Sequence, residues 1–326
     1  MFSSLSNPRL RAAFWQALLV LCLLLGLWLV IGNLQDNLAK RGIELGFDFL
    51  SGPAGFDISE RSIEYTADST YWRAYAVGIL NTLRVAVLGV LIATLMGLVI
   101  AIGSLSINPL LAGLCRSFVE IVRNIPLLLQ LFFWYLSLTA ALPDNASPVA
   151  MGAGFYLDKG GLHFPWFAEG WFSDWSIPEP GPFGLTGGGT LSPEFLALLA
   201  GLSIYTSAFI AEVIRAGILS VPKGQAEAAK ALGLSGWQQL RLVILPQALR
   251  VIIPPTTNQY LNLTKNSSLA VAIGYPELVS VATTTLNQTG HAVEAISLLM
   301  LVYLTISLAT SFLMHRFERA SRLKER

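Results

Sequence analysis

The segment Ala248-Leu249-Arg250-Val251-Ile252-Ile253-Pro254-Pro255-Thr256-Thr257-Asn258-Gln259-Tyr260-Leu261-Asn262-Leu263 decides the architecture of this chain. It is long enough for a crossing but carries a charge, two adjacent prolines and several side-chain amides. A bilayer-spanning helix needs about 20 mainly apolar residues. Five other runs satisfy that more plainly: residues 14–31, 77–103, 117–142, 195–219 and 292–314. The tail holds Arg316, Arg319, Arg322, Lys324 and Arg326, and Arg9 and Arg11 precede the first run. Basic residues flanking spans mark the cytoplasmic side, so both termini are expected inside. An even number of crossings follows, and the polar segment must supply the sixth. A polar helix survives at membrane depth only where protein or water covers it. The segment is therefore expected to line the interior of a bundle or a pathway. Asn258, Asn262, Lys265 and Asn266, on and just beyond it, are candidate groups of that path.

Composition agrees with a membrane protein. Of 326 residues only 13% are charged, against about 25% in a soluble domain, and the mean hydropathy is +0.60. High apolarity argues against disorder, two cysteines argue against a disulfide scaffold, and a net charge of +1 argues against a nucleic-acid binder. Cys22 and Cys115 lie in or beside apolar runs and read as small hydrophobes. The first run resembles a signal peptide only in its basic start; no small-residue cleavage site follows, so a retained helix is expected.

The charges are segregated. Residues 32–72 hold Asp36, Glu44, Asp48, Asp57, Glu60, Glu64 and Asp68 against Lys40, Arg41 and Arg61. Residues 143–191 hold Asp144, Asp158, Glu169, Asp174 and Glu179 against Lys159. Both loops fall outside in a six-crossing topology. The second contains Trp166, Trp171 and Trp175, read as an interfacial belt or local packing in preference to a docking surface. Within the spans, Gly89, Ala93 and Gly97 recur every four residues and would let another helix approach closely. Glu120 with Arg123, and Glu212 with Arg215, are spaced to pair on one helix face. The second pair is read as structural. The first stands between that role and a place in the path, with Pro126 nearby to open the backbone. No phosphate-binding glycine loop, no His or Cys cluster and no supported nucleophile motif is present, so an enzyme and a metal site are not expected.

The loop before the polar segment reads Gly224-Gln225-Ala226-Glu227-Ala228-Ala229-Lys230-Ala231-Leu232-Gly233-Leu234, and runs on to Val243-Ile244-Leu245-Pro246. Residues 225–232 have high helix propensity, and Gly233 is placed as a C-terminal stop. Its alanines make a thin helix that a partner could approach closely. Glu227-Ala228-Ala229, Gly233 and Val243-x-Leu245-Pro246 resemble the EAA loop of ATP-binding-cassette importer permeases, with Val243 where the family usually has Ile. Asn81-Thr82-Leu83, Arg123-Asn124-Ile125-Pro126-Leu127, Ala211-Glu212-Val213-Ile214-Arg215-Ala216-Gly217, Lys265-Asn266-Ser267-Ser268-Leu269 and Ile273-Gly274-Tyr275-Pro276-Glu277-Leu278 resemble the polar amino-acid subfamily. Arg41-Gly42-Ile43, Gly46-Phe47-Asp48-Phe49-Leu50 and the long outer loop are similar to general L-amino-acid importer permeases.

The resemblance implies an all-α integral membrane protein with the transmembrane fold of a type I importer. It implies a cytoplasmic ATPase dimer carrying ATP and Mg, a second and different permease, and a periplasmic amino-acid-binding protein in a bacterial inner membrane. In the implied mechanism the loop helix rests in an ATPase groove and acts as a lever. Gln225 lies on it, Glu227 contributes charge, Ala228 and Ala229 contribute close fit, and Gly233 the turn, with Pro246 ending the motif. No cofactor is expected on this chain. The expected organisation is residues 1–76 as an N-terminal helix with its outer loop and 77–326 as the core. Within the core, 143–191 is an outer insertion and 220–246 the coupling loop. An ion-coupled secondary transporter is the alternative, and a membrane scaffold a third reading that leaves the loop unexplained.

Overall fold

The computed structural model describes residues 8–40, 46–167, 175–181 and 184–321. Arg41, Glu44, Glu169, Trp171, Asp174, Arg322, Lys324 and Arg326 lie outside them, as does the side chain of Arg9. Long apolar runs become helices: α1 (Pro8–Lys40), α2 (Tyr71–Ser104), α5 (Pro193–Leu219) and α10 (Ala292–Ser321). Among the described residues, these four contain stretches long and apolar enough to cross a bilayer. Two bent pairs bring the total to six: Pro109–Asn124 with Leu127–Ala141 at 105°, and Gly236–Ile273 with Leu278–Thr289 at 53°.

The first bent pair corrects an expectation. Residues 117–142 are not one continuous helix but parts of α3 (Pro109–Asn124) and α4 (Leu127–Ala141). Pro126 is the cause. A proline drives the residue before it out of the helical region, and Ile125 is extended at φ −97°, ψ 128°. The second bent pair holds the polar segment, which is longer than expected. It begins with α7 (Gly236–Gln239), passes through a wider turn at Leu240–Ile244 and continues as α8 (Leu245–Asn266). A tighter turn at Ser267–Ile273 and a left-handed Gly274 then lead to α9 (Leu278–Thr289). Pro254 and Pro255 sit inside α8.

The centre is α2 against α5. Lipid is as apolar as leucine, so packing and hydrogen bonds must hold such helices together. The small-residue stripe does this. A Cβ on Gly97 would meet Ile210 Cγ2 at 2.8 Å, and one on Gly89 would meet Leu263 of α8 at 3.2 Å. Ala93 between them is fully buried. Leu131, Phe195, Leu198, Leu202, Ile210 and Leu263 complete this core. The apolar window of α1 is not buried against the rest of the chain, and Cys22 on it is exposed.

Residues 46–70 fold onto one end of α2 and onto α9, and α2 already starts at Tyr71, inside the unit expected to end at 76. Leu50, Ala54, Ile58 and Tyr65 pack with Tyr75 and Val77 of α2 and Leu278 and Val281 of α9. This segment also neutralises Arg84, the one charge of run 77–103. Arg84 Nη1 lies 2.8 Å from Glu60 Oε1, and its guanidinium carbon stands 4.6 Å over the Phe195 ring. Ser192 hydrogen bonds the other Glu60 oxygen. Burial pushes the Glu60 carboxyl above its ordinary range, against the lowering effects of Ser192 and Arg84. A raised folded value stabilises fully below the unfolded one and loses that contribution as pH rises through the folded value. Arg84→Met should leave Glu60 buried without a counter-ion and cost roughly 3–5 kcal/mol. The check is the thermal unfolding midpoint of the purified complex, and adding Glu60→Gln should recover most of the loss.

The insertion between α4 and α5 adds short strands to the helical body. Its four-stranded antiparallel sheet has the order β1-β2-β3-β4, formed by Val149–Gly152, Phe155–Asp158, Gly161–Phe164 and Gly189–Leu191. His163 bonds Asp158 at 2.9 Å and Thr190 at 3.0 Å, which satisfies the sheet's buried polar groups. Trp166 and Trp175 are exposed and pack edge-on against Phe167.

Candidate functional site

The loop after α5 is built to hold one short helix proud of the surface. Pro222 precedes α6 (Lys223–Ala231), whose start lies two residues earlier than the sequence reading placed it. Its end is a Schellman turn: Gly233 N–H bonds Lys230 O at 3.0 Å and Leu234 N–H bonds Ala229 O at 3.2 Å. That geometry requires a left-handed residue, and Gly233 has φ +76°. Immediately afterwards Ser235 and Gln238 exchange bonds as a capping box that starts α7.

The helix offers one face. Gln225, Glu227, Ala228 and Lys230 are exposed, and Leu232 beside them is 81% exposed. Ala229 is turned the other way. It is 3% exposed, so the close fit expected of it is made within the chain, and Ala228 alone of the two alanines stands on the free face. Pro246 lies outside the loop surface, half-buried in the helix that follows.

The path residues divide. Asn258, Asn262 and Lys265 share the exposed side of α8 with Val251 and Pro254, while Ile252, Ile253, Thr256, Leu263 and Thr264 are buried on the other side. Asn266 is half-buried at the edge of this face. Amides and an ammonium do not face acyl chains unless covered, so this side needs water or protein against it. Glu120 and Arg123 lie elsewhere, and the pairing considered for them does not form. Arg123 stacks 5.0 Å over the Phe209 ring. Glu120 instead lines a cavity of about 310 Å³ with Ser104, Arg116, Val119, Ala211, Glu212 and Arg215. Glu212 and Arg215 do pair as expected, through two bonds of 2.7 and 2.9 Å.

Comparison with known proteins places this geometry in a family. Residues 89–323 match the binding-protein-dependent transport system inner membrane component. The chain belongs to that family. It is 42% identical to the general L-amino acid transport system permease protein AapQ of Rhizobium johnstonii, over 99% of this chain and 95% of that protein. It is 36% identical to the glutamate/glutamine/aspartate/asparagine transport system permease protein BztB of Rhodobacter capsulatus, over 98% and 96%. Among solved structures it resembles an amino acid ABC transporter crystallised with histidines, at TM-score 0.57 and 28% identity over 77% of this chain and 95% of that one. The MetNI methionine transporter, at TM-score 0.55 and 18% identity over 77% and 98%, shares the fold. The protein is thus a multi-pass inner-membrane component of a transport system.

One part of this permease was not assembled from the sequence. Asn81 and Thr82 belong to one sequence motif and Glu277 to another, and the fold brings them to one buried point. Asn81 Nδ2 donates to Glu60 O and Pro276 O, both at 2.8 Å. Thr82 Oγ1 accepts from Leu278 N–H at 3.2 Å. Glu277 caps α9 through Ser280 N–H at 3.0 Å and accepts from Tyr303 of α10 at 3.1 Å. These bonds satisfy the backbone where the last bent span breaks, which hydrocarbon would not. A capping acid just ahead of an apolar helix was the available signal; Asn81 and Thr82 on α2, almost 200 positions away, carried none.

Proposed function

We propose that this permease imports amino acids by coupling to ATP hydrolysis on a partner. In this reading α6 docks in a groove of a cytoplasmic ATPase dimer, which holds the ATP and Mg, and this chain carries no nucleotide site. A second, different permease covers the polar side of α8, and a periplasmic binding protein delivers the amino acid. Both termini are cytoplasmic, residues 143–191 lie outside, and 220–246 form the coupling loop of a core that spans 77–326 after the N-terminal helix and its loop. The exposed, glycine-stopped α6 with Glu227 and Ala228 outward carries the reading. Relatives named as amino-acid permeases support the cargo. The family is binding-protein-dependent, which gives the ion-coupled alternative no support.

In this mechanism closure of the ATPase dimer moves α6, and the bundle changes which side its path opens to. Asn258 and Asn262 offer both donors and acceptors to a zwitterion without burying net charge. Lys265 and Asn266 extend that set, and Glu120 and Arg123 stand apart from it near the α3–α5 cavity. Reconstituted with its partners, the complex should accumulate labelled amino acid only when ATP is supplied. Uptake that persists without ATP and follows an ion gradient would overturn the proposal. Alanine at both Asn258 and Asn262 should lower uptake about tenfold, the effect of about 1.4 kcal/mol. Unchanged affinity and rate would remove these residues from the path.

A further inference from the structure

The helix that leaves the coupling loop is irregular where it leaves. Leu245 N–H bonds Leu240 O, five residues back instead of four, so Leu240–Ile244 form a π-helical turn. Pro246 explains it. Proline has no N–H, and in a regular helix its ring would strike the carbonyl of Leu242. The wider turn removes that clash, and the missing N–H weakens the backbone ladder at this point. Gln247 adds a side-chain bond to the same turn: its Nε2 donates to Val243 O at 2.9 Å. The same nitrogen lies 3.5 Å from Gln225 Oε1 on α6. A side-chain amide nitrogen has two hydrogens and can serve both.

From this geometry we infer that Gln247 is a positioning residue for coupling, tying α6 to the π turn at the root of α8. The inference rests on the reading of α6 as the coupling helix. A π turn holds one residue more than the α turn it replaces. Converting one to the other rotates everything beyond it by about 100°. The face bearing Asn258, Asn262 and Lys265 lies directly beyond it on the same helix. A small displacement of α6, passed through Gln247, therefore acts where α8 turns most easily.

The test uses the complete reconstituted transporter and reads amino acids imported per ATP hydrolysed. Gln247→Glu keeps the size of the side chain and removes both donors. It should lower that ratio about fivefold, as expected for one or two neutral hydrogen bonds, with ATP hydrolysis and complex assembly near wild type. Gln247→Lys combined with Gln225→Glu restores a donor opposite an acceptor and should recover most of the ratio. A fall that the double variant does not reverse marks a packing role and overturns the inference. A wild-type ratio in Gln247→Glu, beside an uncoupled Glu227→Lys control, overturns the inference alone. Wild-type ratios in both overturn the coupling reading with it.

Discussion

Glu227→Lys is expected to abolish substrate-stimulated ATP hydrolysis in the reconstituted complex while leaving the permease in the membrane. Glu227 stands on the exposed face of α6, so its replacement disturbs no packing within this chain. Reversing a charge that is desolvated against a partner costs roughly 2–5 kcal/mol, enough to reduce stimulated turnover to the basal rate. Gly233→Asp should produce the same loss by another route. Its φ of +76° is costly for a residue with a Cβ, and a carboxylate at the end of α6 opposes the negative end of the helix dipole. The first variant keeps the helix and changes its charge; the second keeps Glu227 and changes how the helix is presented. Normal stimulation in both would end the lever assignment.

Gly97→Leu should prevent recovery of the intact complex. A Cβ there would lie 2.8 and 2.9 Å from Ile210 and 3.0 Å from the Ser207 carbonyl, and the last is backbone that cannot swing aside. Overpacking costs about 1–3 kcal/mol in soluble cores and occasionally more. In a bilayer the separated helices simply acquire lipid, so little opposes their parting. The expected readout is loss of the monodisperse peak in size-exclusion chromatography. Gly89→Ala makes a milder control, because its nearest neighbour is the end of the Leu263 side chain at 3.2 Å. Wild-type recovery of Gly97→Leu would show that the stripe is not where α2 and α5 are held.

Local signals were legible where local physics decides. Hydropathy marked α1, α2, α5 and α10, the charge distribution demanded the polar crossing, and propensity with Gly233 outlined α6. Four things were not legible. The 105° break at Pro126 lay inside an apolar run whose composition suits one span, and hydropathy does not see backbone direction. Ala228 and Ala229 are identical in sequence terms, and only the packing of α6 distinguishes the exposed one from the buried one. Arg123 lost Glu120 to an aromatic ring, Phe209, on another helix, a competition that i,i+3 spacing cannot register. Glu60 was counted as one acid among seven in a loop, yet it is the one that meets Arg84.

That last pairing bears on how the protein is made. A guanidinium some distance into a helix costs about 2.5–3.5 kcal/mol at the insertion step when it lies at mid-depth. Arg84 is thirteen positions into α2, and its counter-ion Glu60 stands twenty-four residues earlier in the chain. In the proposed topology that loop lies outside, and Glu60 would be translated and exported before the charged helix reaches the bilayer. That order of synthesis would deliver the neutralising carboxylate ahead of the charge it must meet, so α2 could partition into lipid as a nearly apolar segment without waiting for the later helices.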